Sequence, residues 1–218
     1  MGGKLFCVGC GPGDSELLTL KAANIIRTAD TIFCPTSRVG RDSMALSIVK
    51  SILNERNDSY EIINVIFPMV KDKTTLQKTW SDNTDQIAKK CKDGNNVVYI
   101  TVGDPSLYST FTYIHRELKE RYPSIEIEII PGIASMFAFA SQAKISLAEG
   151  DDMVAIIPAC YDLNRIKSIA SSCDTLIFLK DGRYFNNVIE MLKQSGFSLI
   201  KTKPEKFNTI GQQRYRSG

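Results

Sequence analysis

Residues 101–111 read TVGDPSLYSTF, and the chain on either side of them decides the fold. Val97, Val98, Tyr99 and Ile100 lead in as a short buried strand. Downstream, Thr110, Phe111, Ile114 and Leu118 recur at helical spacing. A strand that leaves through Gly103-Asp104-Pro105 into a helix is one β–α step of a parallel sheet. Glycine lets the backbone approach another group closely, and proline stiffens the turn. The hydroxyls of Ser106, Tyr108, Ser109 and Thr110 then add more hydrogen-bonding capacity than a surface turn requires.

The same alternation continues in both directions. Towards the N-terminus, strands are expected over 4–9, 31–34 and 61–67, with helices after Thr19 and over 43–53 and 74–91. Thr19 is a plausible N-cap. Towards the C-terminus, 125–130, 153–157, 175–179 and 197–200 read as strands, and 133–143, 162–170 and 185–194 as helices. The expected fold class is α/β: two α/β domains with mostly parallel sheets. Pro123 breaks the chain near its middle, so the domains are set at 1–118 and 119–218. The tail KPEKFNTIGQQRYRSG is polar, has no clear period, and is expected to be loose or weakly docked.

The chain has 218 residues, 43% of them hydrophobic and 23% charged, with a net charge of +3. That is the profile of an ordinary soluble protein. The basic residues are spread out, which argues against nucleic acid as a partner. No apolar span reaches membrane length and no signal-peptide core stands at the N-terminus, so a cytoplasmic protein is expected. Cys7 and Cys10 form C-x-x-C, yet no second pair or His partner lies at ligand spacing. Strand residues three apart point to opposite faces, so these cysteines read as small buried residues and no metal site is expected.

Three strand exits are unusual: GCGPGD at 9–14, GDPSLYST at 103–110 and PGIAS at 131–135. In α/β sheets, ligands bind beyond the carboxyl ends of strands. The first turn echoes a dinucleotide fingerprint, but Pro12 intrudes, the second half of the motif is missing, and Cys34-Pro35 replaces the acidic strand end. A nucleotide-binding oxidoreductase is therefore disfavoured.

GCGPGDSELLTLKAA, TVGDPSLYSTF and PGIAS together resemble the signature segments of the tetrapyrrole methylases. The segments ADTIFCP, GRDSMALSIV, FPM before the Trp80 helix, YSTFTYI and LAEGDDMVAIIPA are most similar to the branch that methylates C20 of precorrin-2 or cobalt-factor II in cobalamin biosynthesis. The resemblance spans roughly residues 4–195. It implies S-adenosylmethionine as methyl donor, a tetrapyrrole as substrate, an interdomain cleft and a homodimer. It also implies that Gly103, Asp104 and Leu107 face the methionine end of the donor, and that Ser109 and Thr110 line the pocket or start the helix. Ile133, Ala134 and Ser135 would approach from the second domain, and Pro158, Ala159 and Leu179 would flank the adenine. Pro12, Gly13 and Asp14 would face the tetrapyrrole. The family pattern has proline where Ser15 stands, and a small or β-branched residue where Cys10 stands.

Methyl transfer from a sulfonium needs alignment and exclusion of water more than an activated nucleophile, which rigid main-chain turns supply. Asp104 or Lys180 could assist loss of the proton from the methylated carbon; capping of the turn competes as a role for Asp104, and a solvated strand end for Lys180. Arg38 and Arg41, directly after the second strand, are candidates to pair with substrate carboxylates. Lys71, Lys73 and Arg183 are weaker ones. His115 reads as a surface residue and Tyr108 as packing. Alternatives within the family are another ring position, C11 or C17, or diphthine synthase. Outside it stands a non-catalytic tetrapyrrole- or cofactor-binding protein, suggested by a tail that lacks the family's closing strand pair.

Overall fold

The computed structural model describes residues 2–37, 40, 42–68, 72–158, 162–179, 185–201 and 210–213. Two compact units divide the chain, Met1–Ala134 and Ser135–Gly218. Pro123 does end a helix, as the sequence reading required. The chain then re-enters the first sheet as a further strand, so the division falls beyond that strand, at 134/135, and not at 118/119.

In the first unit, strands β1 (Leu5–Gly9), β2 (Thr31–Thr36), β3 (Glu61–Ile66), β4 (Val97–Thr101) and β5 (Ile127–Ile130) alternate with helices α1 (Leu20–Arg27), α2 (Met44–Asn54), α3 (Lys73–Lys92) and α4 (Phe111–Arg121). The sheet order is β3-β2-β4-β1-β5, and every pair is parallel. Alternate residues serve opposite faces. Val8, Ile32, Val98 and Ile100 pack beneath α1 and α2 with Ala22, Ile26, Ile48 and Val49. Leu5, Phe33, Val97 and Tyr99 pack beneath α3 and α4 with Ile87, Phe111, Ile114 and Leu118. Burial on both faces explains why β1, β2 and β4 read as continuous apolar runs.

Local signals set the helix starts. Thr19 accepts from the Ala22 amide (3.1 Å), Ser43 from Leu46 (3.4 Å) and Asp72 from Thr75 (2.8 Å), each satisfying an otherwise unpaired first-turn donor. Strand β2 runs through Pro35 to Thr36, two residues past its expected end at Cys34. Its pairing with β4 ends at Phe33, so the missing proline N–H leaves no bond to that neighbour undone.

The second unit contains α5 (Ser135–Ala143), β6 (Val154–Ile157), α6 (Leu163–Ala170), β7 (Thr175–Phe178), α7 (Phe185–Gln194), β8 (Ser198–Lys201) and β9 (Ile210–Gln213). Its sheet order is β6-β7-β9-β8. Only β6–β7 is parallel; β9 runs antiparallel to both β7 and β8. Ile157, Ile166, Leu176, Phe178, Val188 and Leu192 form its core. The tail was expected to add no strand, and this is corrected: Ile210–Gln213 is an interior strand of the second sheet. The ladder needs only main-chain groups, so IGQQ joins it without any apolar alternation to announce it.

Candidate active site

Three strand ends of the first unit meet backbone to backbone. Past Gly9, the Cys10 amide donates to the Thr101 carbonyl (2.8 Å), continuing the β1–β4 ladder by one step. Gly11 and Gly103 then form an antiparallel bridge, with Gly103 N–H donating to Gly11 O at 2.7 Å and Gly11 N–H to Gly103 O at 3.2 Å. A Cβ on Gly9 would lie 2.7 Å from the Gly103 oxygen and 2.7 Å from the Gly132 nitrogen. A Cβ on Gly132 would overlap the Gly103 oxygen. Only hydrogen fits at Gly9 and Gly132, because β1, β4 and β5 converge there.

Asp104 ties the junction together. Its Oδ2 accepts from the Gly132 amide at 2.9 Å, and its Oδ1 accepts from the Ser106 amide at 2.8 Å and from the Ser106 hydroxyl. One carboxylate thus fixes the turn after β4 to the turn after β5. Partial burial pushes the carboxyl up, but the Ser106 hydroxyl and the Gly132 and Ser106 amides together outweigh it, and the group sits below the ordinary aspartate value. A carboxylate committed to three donors and held this acidic is a weak proton acceptor at neutral pH, so the geometry favours the clamp over the proton-transfer role.

Gly103 has φ +72°, and a Cβ built there meets nothing within 4 Å. The buried backbone of the turn therefore opens onto free space at this residue. Leu107 is half-buried, and its amide donates to the Asp104 carbonyl (3.3 Å). The hydroxyls of Ser109 and Thr110 turn back to β4: Ser109 lies 3.1 Å from Thr101 Oγ1, and Thr110 lies 3.0 Å from the Tyr99 hydroxyl. Ser109 also accepts from the Phe111 amide (3.2 Å), which is how it starts α4. Ile133 is half-buried and Ala134 buried directly after the Gly132 clamp. In the first loop Pro12 is buried, while Gly13 and Asp14 are half-buried. Asp14 accepts from the Glu16 amide (3.0 Å) and caps a 3-10 turn over Ser15–Leu17.

The remaining candidates belong to the second unit or fall outside the described residues. Ser135 opens α5. Pro158 and Leu179 leave neighbouring strand ends, since the Leu179 amide donates to the Ile157 carbonyl (3.0 Å). Ala159, Lys180, Arg38 and Arg41 lie outside the described residues, as do Lys71 and Arg183. Gly9 and Gly132 lie in the turns the sequence marks but are not among its candidate site residues, and neither are Tyr99 and Thr101. The two glycines could have been found from their place at strand ends. The two hydroxyls carry no local signal, because their partners lie eight and eleven residues away.

The C-x-x-C pair resolves as two separate buried residues. Cys7 packs under α3 and α4, and Cys10 under α1 and α2, on opposite faces of the sheet. Burial pushes the Cys10 and Cys34 thiols up to about 12 and raises that of Cys7 as well. Such thiols stay protonated and bind metal poorly. Among the described residues no three His, Cys, Asp or Glu side chains gather as a metal site, and no helix is long and apolar enough to cross a membrane. His115 stacks on Phe111 with ring centroids 5.7 Å apart, and burial lowers its pKa.

Comparison with known proteins places the chain in a family. Residues 4–202 match the family described as Tetrapyrrole (Corrin/Porphyrin) Methylases. The chain is 40% identical over 190 residues to a probable cobalt-precorrin-2 C(20)-methyltransferase of Methanocaldococcus jannaschii, spanning 87% of this chain and 77% of that protein. It is 31% identical over 217 residues to the cobalt-precorrin-2 C(20)-methyltransferase of Salmonella typhimurium, spanning 99% and 89%. The solved structure of a cobalt precorrin-4 methyltransferase superposes with a TM-score of 0.67 at 17% identity, covering 97% of this chain and 94% of that one, which is a likeness of fold. The chain belongs to the tetrapyrrole (corrin/porphyrin) methylase family.

Proposed function

We propose that this chain is an S-adenosylmethionine-dependent C-methyltransferase that methylates C20 of cobalt-precorrin-2 in cobalamin biosynthesis. The observation that carries the reading is the 40% identity, over 87% of the chain, with a relative named for that activity. The second relative, at 31% over 99% of the chain, carries the same cobalt-bearing name. As the resemblance implies, the working form is a homodimer.

The first unit's glycine junction fits the methyl donor. A charged ligand needs backbone groups at close range, and Gly103 presents bare backbone to open space that a side chain would otherwise occupy. When bound, S-adenosylmethionine supplies an electrophilic methyl group on a positively charged sulfur. Gly103, Leu107, Ile133 and Ala134 hold its methionine end, and Asp104 keeps the two turns that carry them in register. Gly13 and Asp14 face the tetrapyrrole, and Arg38 and Arg41 pair with its carboxylates. This chain's part in the chemistry is to orient the two reactants and exclude water, which is worth several kcal/mol when reacting atoms are held about 3–3.5 Å apart. The non-catalytic alternative drew on a tail without strands, and β9 removes that ground.

The test is direct. Purified protein incubated with cobalt-precorrin-2 and S-adenosylmethionine should add the mass of one methyl group and release one equivalent of S-adenosylhomocysteine, with the new methyl at C20 by NMR. Methylation of cobalt-precorrin-4 in preference to cobalt-precorrin-2 would overturn the ring position. Binding of both ligands with no methyl transfer would overturn the enzymatic reading.

A further inference from the structure

Tyr99 and Thr101 lie two apart on β4, so they share one face of the sheet. Each bonds through its hydroxyl to one of two consecutive residues at the head of α4. Tyr99 reaches Thr110 at 3.0 Å, and Thr101 reaches Ser109 at 3.1 Å. Tyr99 is fully buried, and Thr101 nearly so. The start of the helix does not need both bonds. Ser109 already serves the Phe111 amide, and Thr110 makes no side-chain capping bond. A buried hydroxyl is unfavourable unless partnered, so apolar residues of the same shape would pack here at no disadvantage. The chain nevertheless places four hydroxyls in two matched pairs.

Residues 102–108, the turn carrying Gly103 and Leu107, lie between the paired positions. Tyr108, its last residue, has φ +52°, a left-handed conformation unfavourable for a bulky side chain and kept only where the surroundings impose it. Asp104 pins the middle of the turn to Gly132. We infer that Thr101–Ser109 and Tyr99–Thr110 are positioning pairs that pin the two ends of this turn. They thereby set where its backbone meets S-adenosylmethionine. The inference rests on the reading of this corner as the donor site. The hydroxyls act through the turn, so their loss degrades donor binding and methyl transfer beyond any loss of fold stability.

The experiment uses the full chain and S-adenosylhomocysteine as probe, titrated by calorimetry, with thermal unfolding measured in parallel. Thr101→Val keeps the shape and removes the hydroxyl. Ser109→Ala removes the partner and serves if the valine variant folds poorly. Each should raise Kd about tenfold, the order set by one hydrogen bond, and lower kcat as well. The double variant should be little worse than Ser109→Ala, because Thr101→Val removes a bond that Ser109→Ala has already broken. Thr101→Ser should return Kd to within about twofold of wild type, since it restores the hydroxyl that the tenfold change measures. Unchanged Kd in both single variants, with or without a lower Tm, would overturn the inference and leave a purely structural role. Failure of the wild-type protein itself to bind the probe would instead remove the donor-site reading, and this inference with it.

Discussion

Asp104 accepts three hydrogen bonds from two chain segments, so both mutation and protonation should release the junction. Partial burial opposes its charge, while the Ser106 hydroxyl and the two amides favour it and win, leaving the folded value below the unfolded one. The unfolded reference is about 3.9. A depressed carboxyl contributes stability that is fully present above that reference and is lost as pH falls through the lower folded value. Asp104→Asn turns an amide donor towards groups that are themselves donors, and should cost about 1–3 kcal/mol at neutral pH. The gap between wild type and variant should stay flat from about pH 8 to pH 5 and close below about pH 4. Urea unfolding across that range measures it. A gap that widened on acidification would reverse the assignment of cause.

Strand ends, more than side chains, build this site. β1 lies between β4 and β5, and Gly9 stands where the two neighbouring turns close over it. Gly9→Ala would thrust a methyl group against the Gly103 oxygen and the Gly132 backbone, none of which is a flexible side chain that could move aside. The strands would have to part, at a cost of at least about 2 kcal/mol, and the Gly11–Gly103 bridge would stretch with them. Reduced denaturation midpoint together with weakened S-adenosylhomocysteine binding is the expected result; unchanged stability would deny the close approach. Much of this was legible beforehand. Apolar runs marked β1, β2 and β4, the cap at Thr19 marked α1, helical spacing marked α2, and the glycine turns marked the corner. The pairing of β5 with β1 was not legible, because a local break at Pro123 says nothing about where the chain returns. Nor were the hydroxyl pairs, which depend on how α4 sits against β4.

At the scale of the whole chain, the two units rest on separate cores, and they differ in how their sheets are closed. The first sheet is parallel throughout, with each interior strand covered on both faces. The second depends on β9, which among the described residues is the strand that joins β8 to the β6–β7 pair. Without it, β6 and β7 remain as two strands of four residues each, below the three strands that independent stability generally needs. The core residues Leu176 and Phe178 belong to β7, so the consequence extends into the apolar centre. A chain ending at Lys201 should therefore lose amide protection in Val154–Ile157 and Thr175–Phe178 while keeping it in Leu5–Gly9 and Val97–Thr101. Hydrogen exchange read by mass spectrometry distinguishes the two sets of peptides. Equal protection of both sets after truncation would show that the second sheet closes by some other pairing, and would return the polar tail to the marginal role its composition suggests.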